Sequence, residues 1–152
     1  MTTASGKTLT HLRRGILWLL VVGMIGTGTE LLLMEHTEDL WQLVPLILIA
    51  MSLPILGWCS RTGSRAGLRS LQVLSGSSVL SGVVGSLLHY RGNVEFELEM
   101  SPGLGGSDLF SAAMTGATPA LAPGTMVLLG ALGFLYTLGH PALAQHQRNE
   151  DL

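Results

Sequence analysis

Four apolar stretches, each about long enough to cross a bilayer, constrain this chain more than any other feature. A hydrocarbon core is about 30 Å thick and a helix rises about 1.5 Å per residue, so a spanning helix needs about 20 mostly apolar residues. The first stretch runs from Ile16 to Met34 and is broken only by Glu30. The second lies between Trp41 and Trp58, a separation of about 25 Å on a helix that sets one indole at each membrane interface. The third, Leu68 to Tyr90, is rich in Ser and Gly, and the fourth runs from Ala120 to Leu138. The expected fold is an all-α integral membrane protein. Residues 1–152 form a single membrane domain, a four-helix transmembrane bundle with helices at about 13–36, 41–58, 67–90 and 120–139. A long extracytoplasmic loop, 91–119, joins helices 3 and 4. Composition agrees: of 152 residues only 12% are charged and 47% are hydrophobic, too few charges for the skin of a soluble domain this small. The apolar content excludes a disordered chain, and a net charge of −2 argues against nucleic acid as a partner.

Charge placement orients the bundle. Seven of the eight basic residues, Lys7, Arg13, Arg14, Arg61, Arg65, Arg69 and Arg148, fall on one side of a four-span topology. The positive-inside rule makes that side cytoplasmic, with both termini inside, and a bacterial inner membrane is the expected location. Eight of the ten acids lie at or beyond the opposite end: Glu30, Glu35, Glu38, Asp39, Glu95, Glu97, Glu99 and Asp108. Glu150 and Asp151 sit with the inner tail, as do His140 and His146, read as solvated. The apolar run resumes at Leu31–Met34 after the small residues Gly26 and Gly28, so the first span reads as a retained signal-anchor rather than a cleaved leader.

Helices in lipid associate through close backbone approach and polar pairing. The third span carries two small-residue stripes at four-residue spacing: Ser77, Ser81, Gly85 and His89, and Ser78, Gly82 and Ser86. The first span offers Gly23, Gly26 and Thr27. These faces predict close packing of the first and third helices, bringing Glu30 near His89 or Arg91, with Gly130 and Gly133 of the fourth span joining. Pro45 and Pro54 are expected to kink the second helix or cap its ends.

Candidate chemistry gathers at the outer end. A carboxylate inside a span costs several kcal/mol and faces the bundle interior unless it reaches interfacial water, which singles out Glu30, with His89 and Arg91 as further polar candidates within or beside the membrane. The sequence Val94–Met100 alternates acidic and apolar residues, predicting an extended segment with Glu95, Glu97 and Glu99 on one face. Together with Glu38 and Asp39 these make an acidic outer face. His36 and His89 amid Glu35 and Glu95 suit a divalent metal, and facing histidines suit haem, but the spacing matches no metal motif, so no cofactor is predicted. Leu109–Met114 reads as a short amphipathic helix capped by Ser107 or Asp108. The lone Cys59 excludes an intramolecular disulfide and any CxxC site. No phosphate loop, dinucleotide fingerprint or nucleophile elbow occurs. The expectation is a non-enzymatic accessory, assembly or scaffold component of a larger membrane complex, contacting the bilayer and other membrane subunits or its own copies. A small proton- or cation-coupled transporter or channel component built on Glu30 and His89 is the alternative. A metal- or haem-binding redox component using His36 and His89 is the third reading.

Overall fold

The structure, a computed structural model, describes residues 4–143. Arg148, Glu150, Asp151 and His146 lie outside the described residues. The described chain is helical, with no strand among its residues: α1 (Ala4–Leu33), α2 (Leu40–Thr62), α3 (Arg65–Met100), α4 (Gly106–Met114) and α5 (Gly124–Thr137). Three of these, α1, α2 and α3, are long and apolar enough to cross a membrane, whereas α5 has 14 residues, about 21 Å of helix. Large apolar side chains stand on the outside of the long helices, Trp18, Val22 and Leu33 among them, as a lipid-facing surface requires.

Local chemistry sets the ends of these helices. Asp39 caps α2 by accepting from the Gln42 backbone N–H at 2.9 Å, while the Gln42 side chain accepts from the Glu38 N–H at 2.8 Å, a reciprocal cap. Pro45 and Pro54 both lie inside α2 rather than at its ends. Helix α1 stops at Leu33, not 36. The His36 N–H reaches back to Leu31 O and the Glu35 N–H to Leu32 O, the paired bonds of a Schellman turn. The left-handed position is filled by Glu35, at φ 51°, where glycine is usual.

The largest departure from the expected boundaries is at α3. It does not end near residue 90, and 94–100 is helix rather than an extended strand. Alternating acid and apolar residues are compatible with either structure, and Arg91–Glu95, an i,i+4 ion pair at 3.0 Å, favours the helix. The helix runs until Ser101, which precedes Pro102 and so cannot remain helical. Glu95, Glu97 and Glu99 therefore do not share a face. At about 100° per residue, Glu95 and Glu99 are neighbours and Glu97 is turned away. The segment 91–119, expected as a loop, is accordingly the end of one helix plus α4, which begins after Gly105 with no side-chain cap. Helix α5 starts at Gly124, not 120, because Pro119–Pro123 is taken up in successive turns, such as Ala122 N–H to Pro119 O.

Helix packing also differs from expectation. Helix α1 packs on α2 and α5 and forms no close interface with α3, whose main partner is α5. The two stripes of α3 divide the work. At Gly82 a Cβ would lie 2.7 Å from Pro123 O and 2.8 Å from the Val127 backbone N, and at Gly130 it would run into Ser75 O, so the two helices touch backbone to backbone. Gly23 of α1 meets Leu129 of α5, and α5 thus fills the space that separates α1 from α3. The core is built around Leu20, Leu56, Leu68, Leu71, Leu129 and Tyr136. Its polar members are satisfied: Gln72 donates to Thr137 Oγ1 at 3.2 Å, and no buried side-chain polar atom lacks a partner among the described residues. At the end of the bundle that carries Arg13, this arginine donates to the Leu138 and Gly139 carbonyls, at 3.2 and 2.6 Å, complementing the negative end of the α5 dipole. His140 is half-buried there beside Gly63, not a solvated tail residue.

Candidate functional site

The other stripe of α3, Ser77, Ser81, Gly85 and His89, meets α5 only at Gly85, which packs against its N-cap Pro123. It lines a cavity of about 420 Å³. The opposite wall is the C-terminal end of α1 and the N-terminal half of α2, from Thr27 to Met34 and from Trp41 to Leu48, and the start of α5 with the turn before it (Ala122, Pro123, Met126) closes one side. Apolar residues, leucine foremost, make up most of the wall. The polar groups are the hydroxyls of Thr27, Ser77, Ser81 and Thr125, the Glu30 carboxylate, and the imidazoles of His36 and His89.

Each ionisable residue reaches the cavity by a local device. Glu30 lies in the last turn of α1 and is exposed rather than protein-buried; among the described residues its carboxylate has no hydrogen-bond or ion-pair partner. The Schellman turn reverses the chain directly after it and brings His36 back to the same cavity. The His36 and His89 rings meet edge to face, with centroids 6.3 Å apart and planes at 62°. His89 Nδ1 stands 3.2 Å from Pro119 O. A carbonyl oxygen can only accept, so Nδ1 is the donor in this contact. Glu30 and His89 are therefore brought to one cavity without a close interface between the helices that carry them.

The remaining candidates lie elsewhere. Arg91 and Glu95 are exposed and engaged with each other, and neither lines the cavity. Glu35 occupies the left-handed turn position, Asp39 caps α2, Glu38, Glu95 and Glu99 are exposed, and Glu97 is half-buried. The two histidines come together, but no group of three His, Cys, Asp or Glu residues able to hold a metal ion occurs among the described residues. The proximity of His36 and His89 is a geometric pairing without a third ligand.

One residue was not legible as important. Asn93 is buried, and its side-chain amide donates to Ala113 O at 2.8 Å and Thr118 O at 2.6 Å. Its carbonyl oxygen accepts from the Thr118 N–H at 3.2 Å and Oγ1 at 2.7 Å. Gly116 packs against the same side chain, a Cβ there falling 2.9 Å from Asn93 Cγ. Asn93 thereby ties the tail of α3 to the end of α4 and to the approach to α5. A neutral amide amid acidic and apolar residues is the signal that marks it, though nothing in the local pattern specifies its partners. Comparison with family models, with curated proteins and with solved structures gives no match, so the geometry alone carries the functional argument.

Proposed function

We propose that the protein is a non-enzymatic integral membrane protein, a four-span bundle of the bacterial inner membrane with both termini cytoplasmic, that serves as an accessory or assembly component of a larger membrane complex. The observation that carries this reading is the outer platform. Asn93 locks the α3 tail and α4 into one unit that displays Glu95, Glu99, Asp108 and Phe110, all exposed. Exposed aromatic and carboxylate groups on a preorganised support suit a partner protein with a basic surface. The turns of Pro119–Pro123 extend the reach of α5 in this four-span reading, and the bases around Arg13 and Arg65 face the cytoplasm. Purification in mild detergent at native expression is expected to recover other membrane subunits with the protein, and Phe110→Ser combined with Glu99→Lys to lose them. Recovery of a solitary species would overturn the reading. For orientation, Glu99→Cys in intact cells should react with a membrane-impermeant maleimide and Ser64→Cys should not; the reverse pattern excludes the assigned topology.

A second reading, a small proton- or cation-coupled transporter component, is favoured by one observation: Glu30 and His89 line the same cavity. Intramembrane carboxylates mark ion and substrate pathways. Purified protein in liposomes would then support a flux abolished by Glu30→Gln, and the parent protein's failure to move protons or cations removes this reading.

A further inference from the structure

The cavity has the composition of a ligand site rather than of a packing fault. At about 420 Å³ it falls in the range of small-molecule pockets, roughly 300–1,000 Å³, which are mostly apolar with a few polar groups that fix orientation. Its polar groups have one formal sign. Glu30 contributes an unpaired carboxylate, and Glu35, Glu38 and Asp39 follow within nine residues of it on the connection to α2. The nearest outer arginine, Arg91, does not line the cavity and is engaged with Glu95. Trp41, at the start of α2, lines the cavity too, and an indole face attracts cations through its quadrupole. A carboxylate and an indole on a mostly apolar wall select a cation with an apolar body.

We propose that this cavity binds a small organic amine, its protonated nitrogen at Glu30 and Trp41 and its apolar portion against Leu31, Leu48, Leu80 and Leu88. The occupant is a free amine rather than a phospholipid. A diacyl chain pair exceeds the cavity volume of about 420 Å³, and a phosphate beside the ammonium would be set against the Glu30 carboxylate. The assignment rests on the cavity that supports the transport reading, but binding at equilibrium requires no movement across the bilayer.

The test uses the full chain in phosphatidylcholine nanodiscs, with empty discs subtracted, and three probes of one shape: 4-phenylbutylamine, 4-phenylbutanol and 4-phenylbutyrate. Calorimetry is expected to find saturable binding of the amine, weaker binding of the alcohol by about tenfold or more, equivalent to at least one decade in Kd, and none of the carboxylate. Glu30→Gln should reduce the amine to the level of the alcohol, and Ser81→Phe, which fills the cavity while keeping Glu30, should remove both. Equal binding of amine and alcohol, an unchanged amine affinity in Glu30→Gln, or no saturable binding overturns the proposal. Loss of amine binding in discs containing phosphatidylethanolamine identifies a lipid headgroup as occupant and overturns it likewise. If Glu30→Gln does not fold, the amine–alcohol comparison on the parent protein decides alone. Discs have no compartments, so binding without liposome flux removes only the transport reading, and flux without amine binding removes only this one.

Discussion

At the scale of single residues, Glu35 holds a backbone conformation that its type would not choose unaided, and Asn93 holds a buried hydrogen-bond network together. Glu35 is the one non-glycine residue at positive φ among those described, and a left-handed conformation costs an L-residue roughly 1–2 kcal/mol. Glu35→Gly is expected to raise stability by about 1 kcal/mol, read as a higher unfolding midpoint in detergent, with the position of His36 unchanged. Because the turn sets His36 beside the cavity, strain here coincides with a candidate site, as strain often does. Asn93 is the converse case, a residue whose every amide group is used. Asn93→Ala leaves buried carbonyls without donors, at about 1–3 kcal/mol each, and should destabilise the protein by about 2–4 kcal/mol. The sign of a specific effect is regional: amide exchange should accelerate most at residues 113–118. Uniform acceleration would mean that Asn93 supports the whole bundle and not only the α3–α4 end.

At the scale of elements, α3 carries most of the organisation and most of what was hard to read. The existence of the long apolar helices follows from Ile16–Met34 and Trp41–Trp58 directly, since of the structures that satisfy their backbone in lipid only the helix uses about 20 consecutive apolar residues. Their contacts do not follow. Ser and Gly every four residues state that something approaches closely, and both stripes of α3 offer it equally. Only the structure separates Gly82, pressed on α5, from Ser81, facing the cavity. The acid–apolar alternation of 94–100 fits two periodicities over so short a run, and the Arg91–Glu95 pair that tips it toward helix is visible only once a helix is assumed. The site was half legible: Glu30, His36 and His89 stand out by type and position, whereas Trp41 reads as an interface anchor. The glycine contacts yield a contrast within one residue type. Gly82→Val should disrupt the α3–α5 interface severely, by several kcal/mol, because the added carbons meet backbone at 2.7–2.8 Å. Gly26→Ala has nothing within 4 Å and should gain up to about 1 kcal/mol of helix propensity. Thermal unfolding of the two variants in the same detergent checks the pair.

At the scale of the molecule, the bundle is solid at one end and hollow at the other. Core residues cluster where Leu20, Leu56, Leu68 and Tyr136 meet, and the cavity occupies the end of Glu30, His36 and His89. The solid end is fastened by Arg13 on the α5 carbonyls and by His140. Burial, and then the Arg13 charge, hold the imidazole below its ordinary pKa of 6.5, and its Nδ1 accepts from the Ala142 N–H at 3.3 Å, which requires the neutral ring. The unfolded chain therefore binds this proton more readily than the folded one. Stability should be constant above about pH 6.5 and decline as pH falls toward the depressed value, and His140→Gln should flatten that limb in a series of unfolding midpoints. The wedge role of α5 has a consequence in time. A ribosome delivers α1, α2 and α3 before the helix that joins α1 to α3, so a nascent chain holds an open furrow faced with Gly82 and Ser75 until α5 arrives. Chains stopped short of Gly124 would stay in that unfinished state, displaying to membrane proteases or to a second nascent copy the surface that α5 was to cover.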